Sequence, residues 1–460
     1  MTIRRMSALM LALVLVLACV GCTAQPTDDQ PTDGTTSGSE ATGSSASSSG
    51  VTTTTKAPTV SNGVFTDDIF AADVTPSKAA APIKGAIGTL NPMNDADAVA
   101  LGAQCAAEVT DNMIADFEKN IAYCEKNGGT PDPMVHVSTF TVIGNTVYMT
   151  YYANPSSNAE NPSYQEARLA YCPLSDPSQM TIRTIQRVGE TVEEETITKV
   201  YDTILMQKNN SEIYIMWTAS TIVQYYRFYR VFNVNTKTLG PVRVNRFKAG
   251  NVTNDFSISG MKHALYAAKV SFKPMSSDIG IMQKLSTRVE NGVTYYYTGA
   301  YAGAFNCIIK SRDLITWEYV ASPSFDNQSE FENAVYVVGN RVYYFVRQQS
   351  SCAQGFLTYY DLSTKKWSAP VLIKDAQSRS DFIYYKNELY LIHAPQNRNG
   401  FGIVRIDRQD ISRSEAVAVV DMGSSCFYPF VKVYGNEAYI SYTVDRKHIR
   451  LSKFNLDNYV

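Results

Sequence analysis

Six times along the last two thirds of this chain, a turn-forming pair is followed within a few residues by a tyrosine in an apolar run. Gly144-Asn145 leads to Tyr148, Asn209-Asn210 to Tyr214, Asn291-Gly292 to Tyr296, Gly339-Asn340 to Tyr343, Lys386-Asn387 to Tyr390 and Gly435-Asn436 to Tyr439. From Tyr296 onward the steps are 47, 47 and 49 (343−296, 390−343, 439−390). A period in the forties, made of β-branched and aromatic runs separated by hairpin turns, is the pattern of propeller blades, each a four-stranded sheet that cannot bury its own faces. Six anchors predict six blades. The earlier steps, 66 and 82 (214−148, 296−214), are longer and place insertions there, the larger around 250–282.

The start of the chain has a different character. Arg4-Arg5 and an apolar run from Met6 to Ala18 precede Cys19 and Cys22, after which the sequence turns abruptly polar. The run is shorter than the roughly 20 residues a membrane-spanning helix needs. It resembles a bacterial lipoprotein signal over residues 1–21, with Cys22, or alternatively Cys19, as the lipid-bearing residue; an ordinary cleaved signal is the competing reading. Residues 22–60 are rich in Ser, Thr, Gly and Asp, with little to bury, which predicts a disordered tether. The expected location is extracytoplasmic, at the cell membrane, attached through lipid only.

Alanines and apolar residues at helical spacing between Asp95 and Asn127 predict two short helices inside a segment 85–130, packed on the outside of a propeller formed by 131–460. Cys105 and Cys124 fall one on each helix, as a disulfide or as two buried thiols. Cys172, Cys307, Cys352 and Cys426 lack the close pairing of a zinc site, so no metal is expected, and no cofactor either. The chain carries 41 basic and 43 acidic residues. No basic run or stripe marks a nucleic-acid partner.

Asp313, Asp361 and Asp407 follow their anchors by 17, 18 and 17 positions (313−296, 361−343, 407−390). In Ser311-Arg312-Asp313-Leu314-Ile315-Thr316-Trp317 the Ser and Asp can bond the turn's own backbone while the Trp packs beneath the sheet. These are structural turns, without catalytic assignment. Charged residues gather where inner strands begin and second strands end, at one mouth of the channel: Glu330, Glu332, Arg347, Arg379, Asp381, His393, Arg398 and Asp445-Arg446, with Tyr428 at the start of the last blade.

The turn sequences resemble the aspartate box of sialidases, one residue shorter and without its glycine, and residues 325–455 resemble the sialidase superfamily of six-bladed propellers. The resemblance implies that Tyr428 is the nucleophile and Glu332 its proton acceptor. It further implies that Arg347 and Arg398 clamp a substrate carboxylate bidentately, and a neutral phenol suits that anionic sugar because a carboxylate nucleophile would be repelled by it. Arg379 and His136 complete the expected substrate-binding set. The chain departs from the family where Met134-Val135-His136-Val137 stands in place of an arginine motif, and where Glu160 and Glu166 occur without the expected aspartate. Asp132-Pro133 resembles the general base of five-bladed glycosidases and keeps that alternative open. The function expected is that of a retaining exo-glycosidase on an acidic sugar of extracellular glycans, with a non-catalytic glycan-binding propeller as the alternative.

Overall fold

The computed structural model describes residues 132–460 apart from 177–178, 277, 324–329, 349–353, 375, 395–397, 399, 422–424 and 459, together with strand segments at 60–61, 64–65, 82–84 and 113–116. The expectations for Cys19, Cys22, the tether and the Cys105–Cys124 pair lie outside the described residues.

The chain is an all-β propeller. Among the described residues six sheets of four or more strands follow one another, and their innermost strands are Met134–Ile143, Lys199–Gln207, the pair Ile279–Ile281 and Ser286–Glu290, Glu330–Val338, Gln377–Tyr385 and Cys426–Tyr434. Each inner strand pairs antiparallel with the strand after it, and every anchor tyrosine lies in that second strand: Tyr148, Tyr214, Tyr296, Tyr343, Tyr390 and Tyr439. The connecting turns use the residues they require. Gly144, Gly292, Gly339 and Gly435 have φ of +61°, +79°, +60° and +65°, and a Cβ at any of them would meet nothing within 4 Å. Backbone conformation, not space, selects glycine there.

The turn aspartates work as their chemistry suggests. Asp313 Oδ1 accepts from the backbone N–H of Ile315 and Thr316, both at 2.8 Å, and Ser311 Oγ accepts from Leu314 N at 2.9 Å. Trp317 is fully buried beneath this turn. Asp361 and Asp407 each accept from two backbone N–H groups in the same manner. The long step around 250–282 holds the strand Val252–Asp255, which pairs with Arg246–Ala249 on the outside of the third sheet, and a helix, Ile258–Ala267. Ser257 caps that helix by accepting from Gly260 N.

The predicted pair of helices over 95–127 is corrected within the described residues. Met113–Asp116 is a strand, and it pairs with His448–Asn455 as the outermost strand of the last sheet. The C-terminal end of the chain supplies only three strands to that sheet, so the outer edge has open backbone donors and acceptors. An earlier segment satisfies them, and this demand outweighs local helical spacing. The last sheet also meets the first, with Val135 N donating to Arg446 O at 2.9 Å.

Candidate active site

One irregularity repeated around the ring builds the site. The inner-strand ladders slip between His136 and Thr139, Tyr201 and Ile204, Glu330 and Asn333, Gln377 and Asp381, and Phe427 and Phe430. In the third sheet the inner strand is broken between Ile281 and Ser286. At four of these slips a non-glycine residue has left-handed φ: Val137 (56°), Asp202 (49°), Ser378 (66°) and Tyr428 (55°). Each such residue costs about 1–3 kcal/mol, a strain that persists where surrounding packing over-determines it. The bulges turn side chains that would otherwise alternate between sheet faces toward one another.

Arg379 is the hub. Only 2% exposed, it donates from Nε and Nη2 to Glu332 Oε1 at 2.9 and 2.6 Å, from Nη2 to Asp202 Oδ1 at 2.7 Å and from Nη1 to Gln283 Oε1 at 3.3 Å. Its guanidinium lies 4.9 Å from the Tyr428 ring centroid. Arg227 holds Asp202 from the other side, Nη1 to Oδ2 at 3.0 Å. Arg347 Nη1 donates to Glu332 Oε2 at 2.6 Å and to Tyr428 Oη at 3.2 Å. His136 stacks on Tyr428, ring centroids 4.6 Å apart at 21°, and its Nδ1 meets Thr443 Oγ1 at 3.0 Å. Arg398 has left-handed φ (55°), its carbonyl accepts from Cys426 N at 2.6 Å, and its guanidinium lies 4.5 Å from the Phe427 ring. Arg446 lies 5.3 Å from the same ring and pairs with Glu160, Nε to Oε2 at 2.9 Å. Glu160 also accepts from the Tyr152 hydroxyl.

The electrostatics follow from this crowding. Burial, then the positive charges of Arg446, Arg379, Arg398 and Arg347, hold His136 well below its ordinary pKa, so it is a neutral ring. Burial raises the carboxyl of Glu332, but Arg379 and Arg347 outweigh it and leave Glu332 below its usual range, ionised. Burial and the Glu332 carboxylate push the Tyr428 phenol up, against the pull of Arg347 and Arg379, so Tyr428 keeps its proton.

Tyr428, Glu332, Arg347, Arg379 and His136 therefore come together, with Arg398 alongside on Phe427. Two expected contacts differ. Arg379 is spent on two carboxylates beneath the site and holds Glu332 and Asp202, so it positions them instead of meeting substrate. The Tyr428 hydroxyl hydrogen-bonds to Arg347, while both Glu332 oxygens are taken by arginines. Asp132 is occupied elsewhere, its two oxygens accepting from Arg168 Nη2 at 2.9 Å and Nε at 3.2 Å.

Asp202, Gln283 and Asp278 were absent from the expected set, and Glu160 and Arg446 were noted in the sequence without a role. The Asp278 carboxyl bonds the Tyr201 hydroxyl and is pushed up to about 7 by burial and by Glu332 and Asp202. A usable signal exists for two of them. Counting back from each anchor tyrosine, His136 and Asp202 lie 12 positions before (148−136, 214−202), Gln283 lies 13 before (296−283), and Glu332, Arg379 and Tyr428 lie 11 before (343−332, 390−379, 439−428). The same repeat that fixes the blades thus names one inward-facing polar residue per inner strand. Among the described residues no group of three or more His, Cys, Asp and Glu side chains could hold a metal.

The chain matches no protein-family model and no curated protein. Solved structures similar to it include Trypanosoma rangeli sialidase, at 13% identity and TM-score 0.49, covering 72% of this chain and 56% of that one. A Hadza microbial sialidase is similar at 10% identity and TM-score 0.49, covering 71% and 66%. A Dyadobacter fermentans protein of unknown function is similar at 13% identity and TM-score 0.48, covering 70% of this chain and 94% of that one. This chain thus spans just over half the length of the trypanosomal sialidase.

Proposed function

We propose that the six sheets are the six blades of a sialidase-like propeller that acts on extracellular glycans as a retaining exo-glycosidase for an acidic sugar. The observation that carries this reading is the gathering of four guanidiniums around His136, Arg347 and Arg379 against its stacking partner Tyr428 and Arg398 and Arg446 against the adjoining Phe427. Arg379 is neutralised by its carboxylates and Arg446 is paired with Glu160, so Arg347 and Arg398 are the guanidiniums assigned to a substrate carboxylate. Such a carboxylate draws Arg347 away from Glu332 and frees that oxygen to accept the Tyr428 proton. The Tyr428 oxygen bonds to the anomeric carbon as the glycosidic C–O bond breaks. The leaving oxygen takes its proton from solvent. Water then cleaves the tyrosyl–sugar bond, its proton passing back to solvent, as Glu332 returns its proton to Tyr428. No cofactor or metal enters this scheme, and the partner is a glycan, not nucleic acid.

A binding-only propeller is favoured by one observation: the Tyr428 phenol is held protonated and bonds to Arg347, not to its proton acceptor. Turnover of a fluorogenic sialoside, with mass spectrometry of Tyr428 after incubation with 2,3-difluorosialic acid, separates the two. The enzyme reading expects turnover, a covalent adduct on Tyr428, and loss of more than about 99% of activity in Tyr428→Phe, since general-base and nucleophile losses run to 10²-fold or more. Absence of both turnover and adduct, with sialic acid still bound, leaves the binding module. We also propose extracytoplasmic placement through a lipid on Cys22, or on Cys19. Among the described residues no helix is long and apolar enough to cross a membrane.

A further inference from the structure

Toward the opposite end of the same inner strands lies a cavity of about 460 Å³. Gln283, which accepts from Arg379 on the active-site side, is part of its wall. Three lysines, Lys208, Lys284 and Lys432, line it, and no acidic residue does. Behind the wall one carboxylate, Asp381, pairs with Lys284 Nζ at 2.9 Å and also accepts from Val431 N at 2.8 Å and Phe382 N at 2.9 Å. Lys284 further donates to the Val431 carbonyl. Lys208 sits 4.8 Å from the Tyr296 ring centroid and donates to Arg312 O at 2.7 Å.

Lys432 is the exception. It donates to Thr141 Oγ1 at 2.8 Å, and among the described residues it pairs with no carboxylate. Burial and the neighbouring Lys284 pull its ammonium down to about 8. A buried cation facing a second cation, with one neutral hydroxyl for company, lacks the compensating anion that such groups normally have. The remaining wall is mostly apolar and includes several aromatic rings: Tyr336 and Tyr384 stack with centroids 6.2 Å apart, and Tyr434 Oη accepts from Val142 N at 3.3 Å beside Thr141.

We propose that this cavity is a second ligand site, separate from the channel mouth, which binds a small organic anion consisting of a carboxylate or phosphate on a ring. The anionic group meets Lys432 and Lys284, and the ring lies against Tyr336 and Tyr384. This inference does not depend on the glycosidase reading, because Lys284, Lys432, Tyr336 and Tyr384 are not residues of the mouth, and Gln283 alone borders both.

Calorimetric titration of the full chain with phenyl phosphate tests it, with inorganic phosphate and phenol as partial probes. Phenyl phosphate is expected to bind more tightly than either. Lys432→Met should weaken it by about tenfold or more, the loss expected for a charged hydrogen bond, while thermal stability is kept. Arg398→Ala should leave phenyl phosphate binding as in the wild type. Absence of binding at millimolar concentration overturns the proposal, as does unchanged affinity in Lys432→Met or loss of binding in Arg398→Ala. Should Lys432→Met fail to fold, ¹³C-methylation of the wild-type lysines gives a second readout. The Lys432 resonance must shift when phenyl phosphate is added, and a resonance that stays put refutes the site.

Discussion

Replacing Arg379 by methionine, close to it in volume but uncharged, tests whether the centre of the ring is organised by charge. The substitution removes four hydrogen bonds and leaves the Glu332 and Asp202 carboxylates facing each other, each with one remaining arginine, Arg347 and Arg227. Breaking a buried ion pair by deleting one partner costs about 3–5 kcal/mol. With an unfolding entropy of about 2.1 cal/mol/K per residue over roughly 330 residues, that cost lowers Tm by about 4–7 °C. The sign with pH follows from Glu332. In the wild type its folded pKa is depressed, so its contribution is present above the unfolded carboxyl pKa of about 4.3 and is lost as pH falls through the folded value. Without Arg379 the Glu332 pKa rises, and protonation relieves the repulsion. The difference in Tm between wild type and Arg379→Met is therefore largest near neutral pH and shrinks toward pH 5. Scanning calorimetry at the two pH values measures both quantities. A drop of less than about 1 °C at neutral pH, or a drop of equal size at both, refutes the argument that Arg379 is held by charge.

Arg347→Lys should lower affinity for sialic acid by about tenfold to hundredfold, since a lysine cannot reproduce a planar two-donor fork worth roughly 1.5–3 kcal/mol. Calorimetric titration giving equal affinities for wild type, Arg347→Lys and Arg398→Lys would move the site elsewhere. Replacing both Cys19 and Cys22 by serine should release the protein into the soluble fraction of its host, and unchanged membrane retention argues against a lipid anchor.

The propeller could be read from the sequence because five of the six anchor hairpins use left-handed backbone at the turn, the sixth is held by the Asn209 side chain, and all place a tyrosine just after it. Both demands are local and recur at fixed spacing. Tyr428, Glu332, Arg347 and Arg398 could be named because they stand at or between strand ends and match the pattern of a resembling family. What their side chains meet could not, since it depends on bulges that reorient a strand by one residue. Arg379 shows the limit: its strand-start position suggests a ligand contact, yet a bulge turns it onto two carboxylates from other sheets. Asp202 and Gln283 lie in polar company that looks ordinary until the anchors are aligned. Met113–Asp116 shows the opposite failure, where a locally helical pattern yields to the open edge of a sheet at the far end of the chain, around Arg450.

That last pairing sets a clock for the molecule. Asp116 emerges from the ribosome long before its partner Arg450, which lies 334 positions further on (450−116). At roughly 5–20 residues per second the early segment waits about 17–67 s for that partner. The sheet that presents Tyr428 is therefore the last to be finished, and until His448–Asn455 is made the early strand Met113–Asp116 has no edge to join. A chain cut short before residue 448 cannot finish it at all.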